Sequence, residues 1–448
     1  MARRRMVLSL MAAGLLSSCT KTPEKPKVPQ AEGEVTEANP LGVKNDAELE
    51  VILFSGGYGT QFATAAHIPA YQKLFPKANV KFAAIEEMTV LAPRFAGENQ
   101  PDLVNNAGPK PLNMPALIAG EQIADLTDLL KAPAAVLPDP SGKSPKPEKP
   151  VTVEETLIPG AVVTFDGKPY AINYTYVAYG LWYSGKQFRD RGWSVPVTWP
   201  DFIGLLEQMQ GAGITPYAYA GVDGAMHQIQ AMLTTAAKIG GAEVLWALDK
   251  LADGAWRHDA IRQAAALWAE VGSRFLDKGH FTSTRAKVQA LQAQGRVGFY
   301  PSGSWLEHEQ AKVVPPGFDY RAVTLPSVSP DDKAAAVLAE PGNLFFVSAN
   351  GKNSRGAKEY LRQMLSAEGA RKFTELTGSP TVVKESPAGS AMASALLKDA
   401  ETVSYRWPEL YPGIAYECQE ATNDLMFRGG SAEAFCERMQ KAADAAKK

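Results

Sequence analysis

The chain has 448 residues, which is more than one hydrophobic core usually organises, so we expect two folded lobes. Its formal net charge is −2, and this near-neutral balance excludes a nucleic-acid partner, which needs a basic face. The five histidines are scattered, and neither an HExxH nor a CxxC spacing occurs. We therefore expect no metal site and no cofactor.

The first 18 residues resemble a bacterial signal peptide. Arg3, Arg4 and Arg5 give a positive start, and an apolar stretch follows that is shorter than the roughly 20 residues of a membrane-spanning helix. Leu16 to Cys19 resembles a lipobox, so we expect lipidation of Cys19 and anchoring at the outer face of the cytoplasmic membrane. The general secretory and the twin-arginine routes both stay open.

Residues 19–45 are rich in Lys, Glu, Pro and Thr and poor in large apolar side chains, which predicts a flexible tether. Two further cysteines, Cys418 and Cys436, lie near the end of the chain. Outside the cytoplasm such a pair is expected to be oxidised, so we predict a disulfide, with two buried thiols as the alternative.

The folded part begins with strands at 48–54, 79–85 and 102–105 that alternate with helical sequence. This alternation is typical of an α/β fold with a mainly parallel sheet. Residues 131–150, rich in Pro, Lys and Ser, predict an exposed insertion loop.

The second half is predicted to be helical at 228–239, 244–251, 258–278 and 284–294. Extended sequence returns near 320–348, as it would if the chain crossed between lobes more than once. We predict lobe 1 from 46–165 plus 320–366, and lobe 2 from 166–319 plus 367–448. A hinge and a ligand cleft between the lobes follow from this arrangement.

Catalytic patterns are absent from the sequence, and we expect no enzyme. No G-x-S-x-G elbow occurs, and the adjacent Glu86 and Glu87 would point to opposite faces of a strand. Gly57 and Gly59 imitate half of a dinucleotide fingerprint, but Phe62 replaces its third glycine.

Aromatic residues beside predicted turns are the main binding candidates, because flat rings pack on the apolar face of a sugar. They are Tyr58, Tyr174, Tyr176, Tyr217, Tyr219, Trp305 and Trp407. Polar side chains that could bind sugar hydroxyls are Asn105, Asn106, Asn173, Asp223, His227, Glu340 and Asn343. Packing in the core is the alternative for each aromatic residue.

Four motifs in order resemble landmarks of the extracellular solute-binding proteins of sugar ABC importers. They are Lys168–Tyr174, Leu181–Ser184, Thr198–Phe202 and Gly303–Glu307. Within that family the chain is similar to the N-acetylglucosamine and diacetylchitobiose-binding lipoproteins, through Gly56–Gly59, Glu155–Gly160 and Gly254–Asp259.

The resemblance implies two α/β lobes that close on a sugar without covalent chemistry, in a monomer that serves membrane permease subunits. It implies stacking by Trp305 and a cleft lined by residues near Tyr58, Asn106, His227, Glu340 and Trp407. From the aromatic and polar candidates above, we add Tyr174 and Asn343 as expected ligand contacts. The ligand would be an amino sugar or short oligosaccharide such as N-acetylglucosamine or chitobiose. His227 and Gln230 depart from the aromatic residues of these relatives. An exported carbohydrate-active enzyme and a receptor for a non-sugar envelope ligand are the alternatives.

Overall fold

The computed structural model describes residues 32–97, 99–135, 150–333, 335–398 and 400–447. The predicted signal peptide, Cys19 and the first part of the tether lie outside the described residues, as does most of the predicted insertion loop. Among the helices of the described part, none combines the length and apolar character needed to cross a bilayer.

The described residues form ten strands and seventeen α-helices. The strands are β1 Leu49–Phe54, β2 Val80–Ile85, β3 Leu103–Asn105, β4 Val162–Phe165, β5 Lys168–Ser184, β6 Thr215–Tyr217, β7 Val297–Gly303, β8 Tyr320–Val323, β9 Ala336–Val347 and β10 Glu401–Val403. The first eight helices are α1 Ile68–Leu74, α2 Ala92–Ala96, α3 Met114–Ala119, α4 Thr127–Lys131, α5 Gly185–Arg191, α6 Trp199–Gly211, α7 Ala225–Gly240 and α8 Glu243–Asp249. The others are α9 Asp259–Phe275, α10 Arg285–Ala293, α11 Leu306–Gln310, α12 Ser354–Met364, α13 Ala367–Thr377, α14 Ala391–Leu397, α15 Trp407–Leu410, α16 Pro412–Phe427 and α17 Ala432–Ala446.

The strands join in one sheet of order β2-β1-β3-β9-β5-β7-β6. The outer pairs are parallel, but β3–β9, β9–β5 and β5–β7 are antiparallel. The α/β prediction is confirmed, whereas the expectation of a mainly parallel sheet is wrong at its centre. The reason is that two long strands run in opposite directions there, and short strand signals do not reveal which neighbours pair.

Those two strands, β5 and β9, connect the lobes. They pair from Ala171 opposite Phe346 to Ala178 opposite Ala339, and the later part of β5 pairs with β7 and β8. Within β9, Asn343 has a φ of 60°, a conformation that asparagine tolerates better than most residues. The backbone is thus irregular where both strands pass from one lobe to the other.

Two large hydrophobic cores define what we call the first and second lobes. The first core combines residues between Leu41 and Tyr174 with residues between Phe345 and Val383. The second core contains most of the buried residues between 181 and 299, together with Leu325, Leu338 and residues 403–443. Helix α13 therefore packs in the first lobe and not the second, and the stretch around Leu325 packs in the second.

The folded body also begins earlier than the predicted end of the tether at residue 45. Leu41 and Val43 are buried in the first core. The Asn39 amide donates to the carbonyls of Glu34 and Val43 over 3.0 and 2.9 Å, and its oxygen accepts from the Val43 N–H. Short apolar residues at isolated positions carry this packing, and composition alone did not reveal them.

The predicted disulfide is wrong for this structure, because Cys418 and Cys436 are free and buried. They lie on the neighbouring helices α16 and α17 and pack in the second core. Burial raises the pKa of Cys418 to about 12 and that of Cys436 to about 11, so both stay as thiols. A disulfide needs facing Cβ atoms, which a sequence does not specify.

Candidate functional site

Trp305 lies at the boundary of the two lobes. It follows β7 and precedes α11, both in the second lobe, yet its half-buried ring packs against the first core. The ring stands edge-on to Tyr179 with centroids 5.5 Å apart. A Cβ on Gly303 would overlap the indole, so glycine at this position allows the ring to fold back over the strand end.

His227 and Gln230 lie one turn apart on α7, where His227 contacts the Trp305 ring and Gln230 interacts with Tyr179. The His227 imidazole lies 5.6 Å from Trp305 between centroids. Burial, and then the nearby Arg285, lower the pKa of His227 to about 3, so the ring is neutral at physiological pH. Both side chains are buried, and His227 Nδ1 and Gln230 Oε1 have no hydrogen-bond partner among the described residues.

Glu340 on β9 is a half-buried carboxyl at the crossing between lobes, opposite Val177 of β5. Burial raises its pKa to about 8, and the neighbouring Glu409 carboxylate adds to the rise. The Tyr405 backbone N–H and the Tyr179 hydroxyl oppose the rise as hydrogen-bond donors. Glu340 is therefore largely protonated at neutral pH, and it can donate a hydrogen bond as well as accept one.

Glu409 and Arg406 extend this polar cluster. Burial also raises the pKa of Glu409, while Arg406 and the Asn173 side chain oppose the rise. The Arg406 Nε atom lies 3.8 Å from Glu409 Oε2, too far for a hydrogen bond. The backbone N–H of Arg406 is held by Asp249 Oδ1 at 2.7 Å, which fixes the segment that carries both side chains.

Several polar atoms of this region have no hydrogen-bond partner within the described part of the chain. They are Asn173 Oδ1, His227 Nδ1, Gln230 Oε1, Tyr405 OH, Arg406 Nη2 and Glu409 Oε2. Buried polar groups in folded proteins are nearly always hydrogen-bonded to protein, water or a ligand, so these atoms are candidate ligand contacts. Donors and acceptors are both present beside an aromatic ring, which suits a ligand with hydroxyl groups and an apolar face.

The turn after β1 is the part of the first lobe that faces α11 across the boundary between the lobes. Gly57 and Gly59 have φ values of 63° and 61°, which explains the glycines. The Gly57 N–H donates to Glu309 Oε1 over 3.3 Å, so this first-lobe turn contacts α11 of the second lobe. Tyr58 between the glycines is buried edge-on against Phe373, and burial raises its pKa to about 12.

Two predicted ligand contacts, Tyr174 and Asn106, lie inside the first lobe. The Tyr174 hydroxyl donates to the Met364 carbonyl over 3.1 Å, and its ring packs in the first core. The Asn106 amide forms two hydrogen bonds with the Leu112 backbone. Its nitrogen donates to the Leu112 carbonyl, and its oxygen accepts from the Leu112 N–H. The structure does not bring these two side chains to the boundary, because each is already satisfied inside the first lobe.

Trp407 is also a core residue, fully buried and edge-on to Trp256 at 5.2 Å. It supports the site indirectly, since its ring stacks with that of Tyr405. Asn343 is half-buried near the crossing, but its Oδ1 accepts from Asn105 Nδ2 over 2.9 Å. Of the predicted residues, Asn173, His227, Trp305 and Glu340 thus lie in the region of these polar atoms.

Sequence reasoning missed Tyr179, Tyr405, Arg406, Glu409 and Glu309. An acidic residue beside aromatic residues is a common sequence pattern and does not by itself indicate a binding site. These residues also lie far apart in the sequence, and only the fold brings them together. Among the residues that the structure describes, no group of three or more His, Cys, Asp and Glu side chains is arranged to hold a metal ion.

Comparison with known families and proteins gives matches over most of the chain. The sequence profile of the bacterial extracellular solute-binding proteins matches residues 94–401. The diacetylchitobiose binding protein NgcE of Streptomyces coelicolor is 31% identical over 380 residues, which cover 82% of this chain and 77% of that protein.

Solved structures agree on the fold. A chitin oligosaccharide binding protein superposes with a TM-score of 0.69 at 18% identity, over 89% of this chain and 99% of the other. A structure from work on xylan utilization by Caldanaerobius polysaccharolyticus gives a TM-score of 0.71 at 18% identity, over 88% and 99%. Both are two-lobed, and the two-lobed fold predicted from the sequence is confirmed.

Proposed function

The chain belongs to the bacterial extracellular solute-binding proteins, and from that premise we propose that it is the sugar receptor of an ABC importer. It captures a sugar between its two lobes and delivers it to a membrane permease. A ligand that contacts both lobes favours the closed arrangement over the open one, because only the closed form makes every contact.

The observation that carries this proposal is the boundary around Trp305. Its ring offers a flat apolar surface, with the Tyr179 ring 5.5 Å and the His227 imidazole 5.6 Å away between centroids. Tyr179 in turn interacts with Gln230, Glu340 and Glu409, and the Gln230 and Glu409 oxygens without a partner in the described part of the chain supply hydrogen-bond acceptors. The chemistry matches a pyranose, whose ring face is apolar and whose edge carries hydroxyl groups.

An amino sugar or a short oligosaccharide, with diacetylchitobiose first, is the ligand that similarity to NgcE favours. Calorimetric titration with N-acetylglucosamine, diacetylchitobiose, cellobiose and raffinose tests this. We expect the acetylated sugars to bind most tightly. Binding of no sugar in the panel would refute the receptor function, and mass spectrometry of ligand that co-purifies with the protein would identify a non-sugar alternative.

Membrane attachment through lipidated Cys19 and a monomeric state complete the proposal. The family is one of extracellular proteins, which agrees with export. Fractionation of cells that express the wild type and a Cys19→Ala variant tests the anchor. The wild type should sediment with membranes and the variant should not, and equal distribution would argue against lipidation.

Hydrolysis is the second candidate, because Glu340 with its raised pKa lies close to Glu409, and glycosidases use two carboxyl groups. The family match favours reversible binding instead. Incubation with chito-oligosaccharides should leave them intact, and the appearance of shorter products would favour the enzyme.

A further inference from the structure

The Glu309 side chain forms hydrogen bonds with both lobes. Its Oε1 accepts the Gly57 N–H of the first lobe at 3.3 Å, and its Oε2 accepts from Gln289 Nε2 of the second lobe at 2.9 Å. Its backbone N–H donates to the Trp305 carbonyl at 2.9 Å, which ties the same residue to the segment that carries the indole.

The second-lobe side of this contact is built in advance. Gln289 on α10 and Gln310 on α11 are almost fully buried, at 2% and 6% exposure. Gln310 Nε2 donates to Gln289 Oε1 at 2.7 Å, which turns the Gln289 amide nitrogen toward Glu309. A buried chain of this kind holds the carboxylate in one orientation, with its other oxygen aimed at the first lobe.

The first-lobe side is equally shaped for contact. Gly57 and Gly59 bring backbone close to α11, so that a Cβ on Gly57 would lie 3.9 Å from Trp305 Cγ and one on Gly59 3.8 Å from His308 Nε2. The N–H of Gly57 is thereby presented to the Glu309 carboxylate at 3.3 Å, the long end of the hydrogen-bond range.

We propose that Glu309 is a positioning residue, a latch that stabilises the closed lobes and sets the Trp305 segment without touching the sugar. For its affinity effect this rests on the proposed receptor function. A latch of this kind raises the closed fraction, and the apparent affinity for every ligand scales with that fraction. Loss of the latch therefore weakens all sugars by one common factor, whereas loss of a direct contact changes the preference among them.

Three variants test the latch. Glu309→Ala removes both acceptors, and Glu309→Gln leaves one oxygen to serve two donors. Gln289→Met keeps the size of the side chain but removes the donor that orients the carboxylate. Glu433→Ala, at an exposed glutamate in the first turn of α17, is the control.

Calorimetry should show a common loss of about tenfold for Glu309→Ala with each bound sugar and a smaller loss for Glu309→Gln. Small-angle scattering of each protein without added sugar should give a larger radius of gyration for Glu309→Ala than for wild type and control. Gln289→Met combined with Glu309→Ala should lose less than the two separate losses together, because both act on one relay.

The latch is refuted if the radius of gyration and all affinities stay at the control values, or if affinity falls for one sugar only. If no sugar binds to the wild type, the receptor function fails while the scattering comparison still tests the latch. Thermal unfolding of each variant identifies any that does not fold, and the remaining variants then decide.

Discussion

Replacing Trp305 by alanine tests the proposed binding surface most sharply. A fully buried tryptophan covers about 150–250 Å². In the structure one side of the half-buried ring packs on protein, so we assign roughly 80 Å² to the ligand. At about 25 cal/mol per Å² this contributes about 2 kcal/mol, or a loss of about 30-fold in affinity.

The assay is calorimetric titration of the tightest sugar into wild type, Trp305→Ala and a control, Trp246→Ala. Trp246 on α8 is 54% exposed, so removal of its ring should leave sugar affinity unchanged. Thermal unfolding shows whether each variant remains folded. Equal affinities for wild type and Trp305→Ala would refute the reasoning, as would an equal loss in both variants.

Three further predictions concern the surroundings of the site. Because the pKa of Glu340 is raised from 4.5 to about 8, the folded state holds a proton that the unfolded state releases, so the free energy of unfolding should fall as pH rises between these values. Urea unfolding of wild type and Glu340→Gln over that range checks this, and an equal fall in both would contradict it. Gly303→Ala should displace the Trp305 ring and weaken sugar binding at least tenfold, whereas Gly204→Ala, in open space on α6, should not; titration of both variants decides. Cys418 and Cys436 should react with a thiol reagent once the protein is denatured, with no reductant needed, because both are free and buried. A reaction that requires a reductant would show a disulfide.

Much of the secondary structure could be predicted from the sequence, because helix caps and turns depend on adjacent residues. Helix α6 begins with a capping box of Thr198 and Asp201 and has Pro200 in its first turn, so adjacent residues specify its start. Asp166 and Gly167 form the turn between β4 and β5, and Asp-Gly is a pair that favours such turns. Lobe boundaries were less accurate, since they depend on which core a segment joins after it crosses.

The site was only partly predictable for the same reason. Trp305 was proposed as an aromatic residue beside a turn, and Glu340 as a polar side chain that could bind sugar hydroxyls. Tyr174 and Trp407 stand in equally promising sequence, yet their rings fill the cores. Whether an aromatic ring faces a boundary or a core depends on long-range packing, which periodicity and turn residues do not encode.

Hydrogen exchange with and without the tightest-binding sugar tests the central claim, that the ligand is held between the lobes. We predict slower exchange on both sides of the boundary, in residues 55–60 of the first lobe and in 225–232, 303–310 and 403–410 of the second. Protection confined to one lobe, or protection that spares the segment around Trp305, would contradict the account.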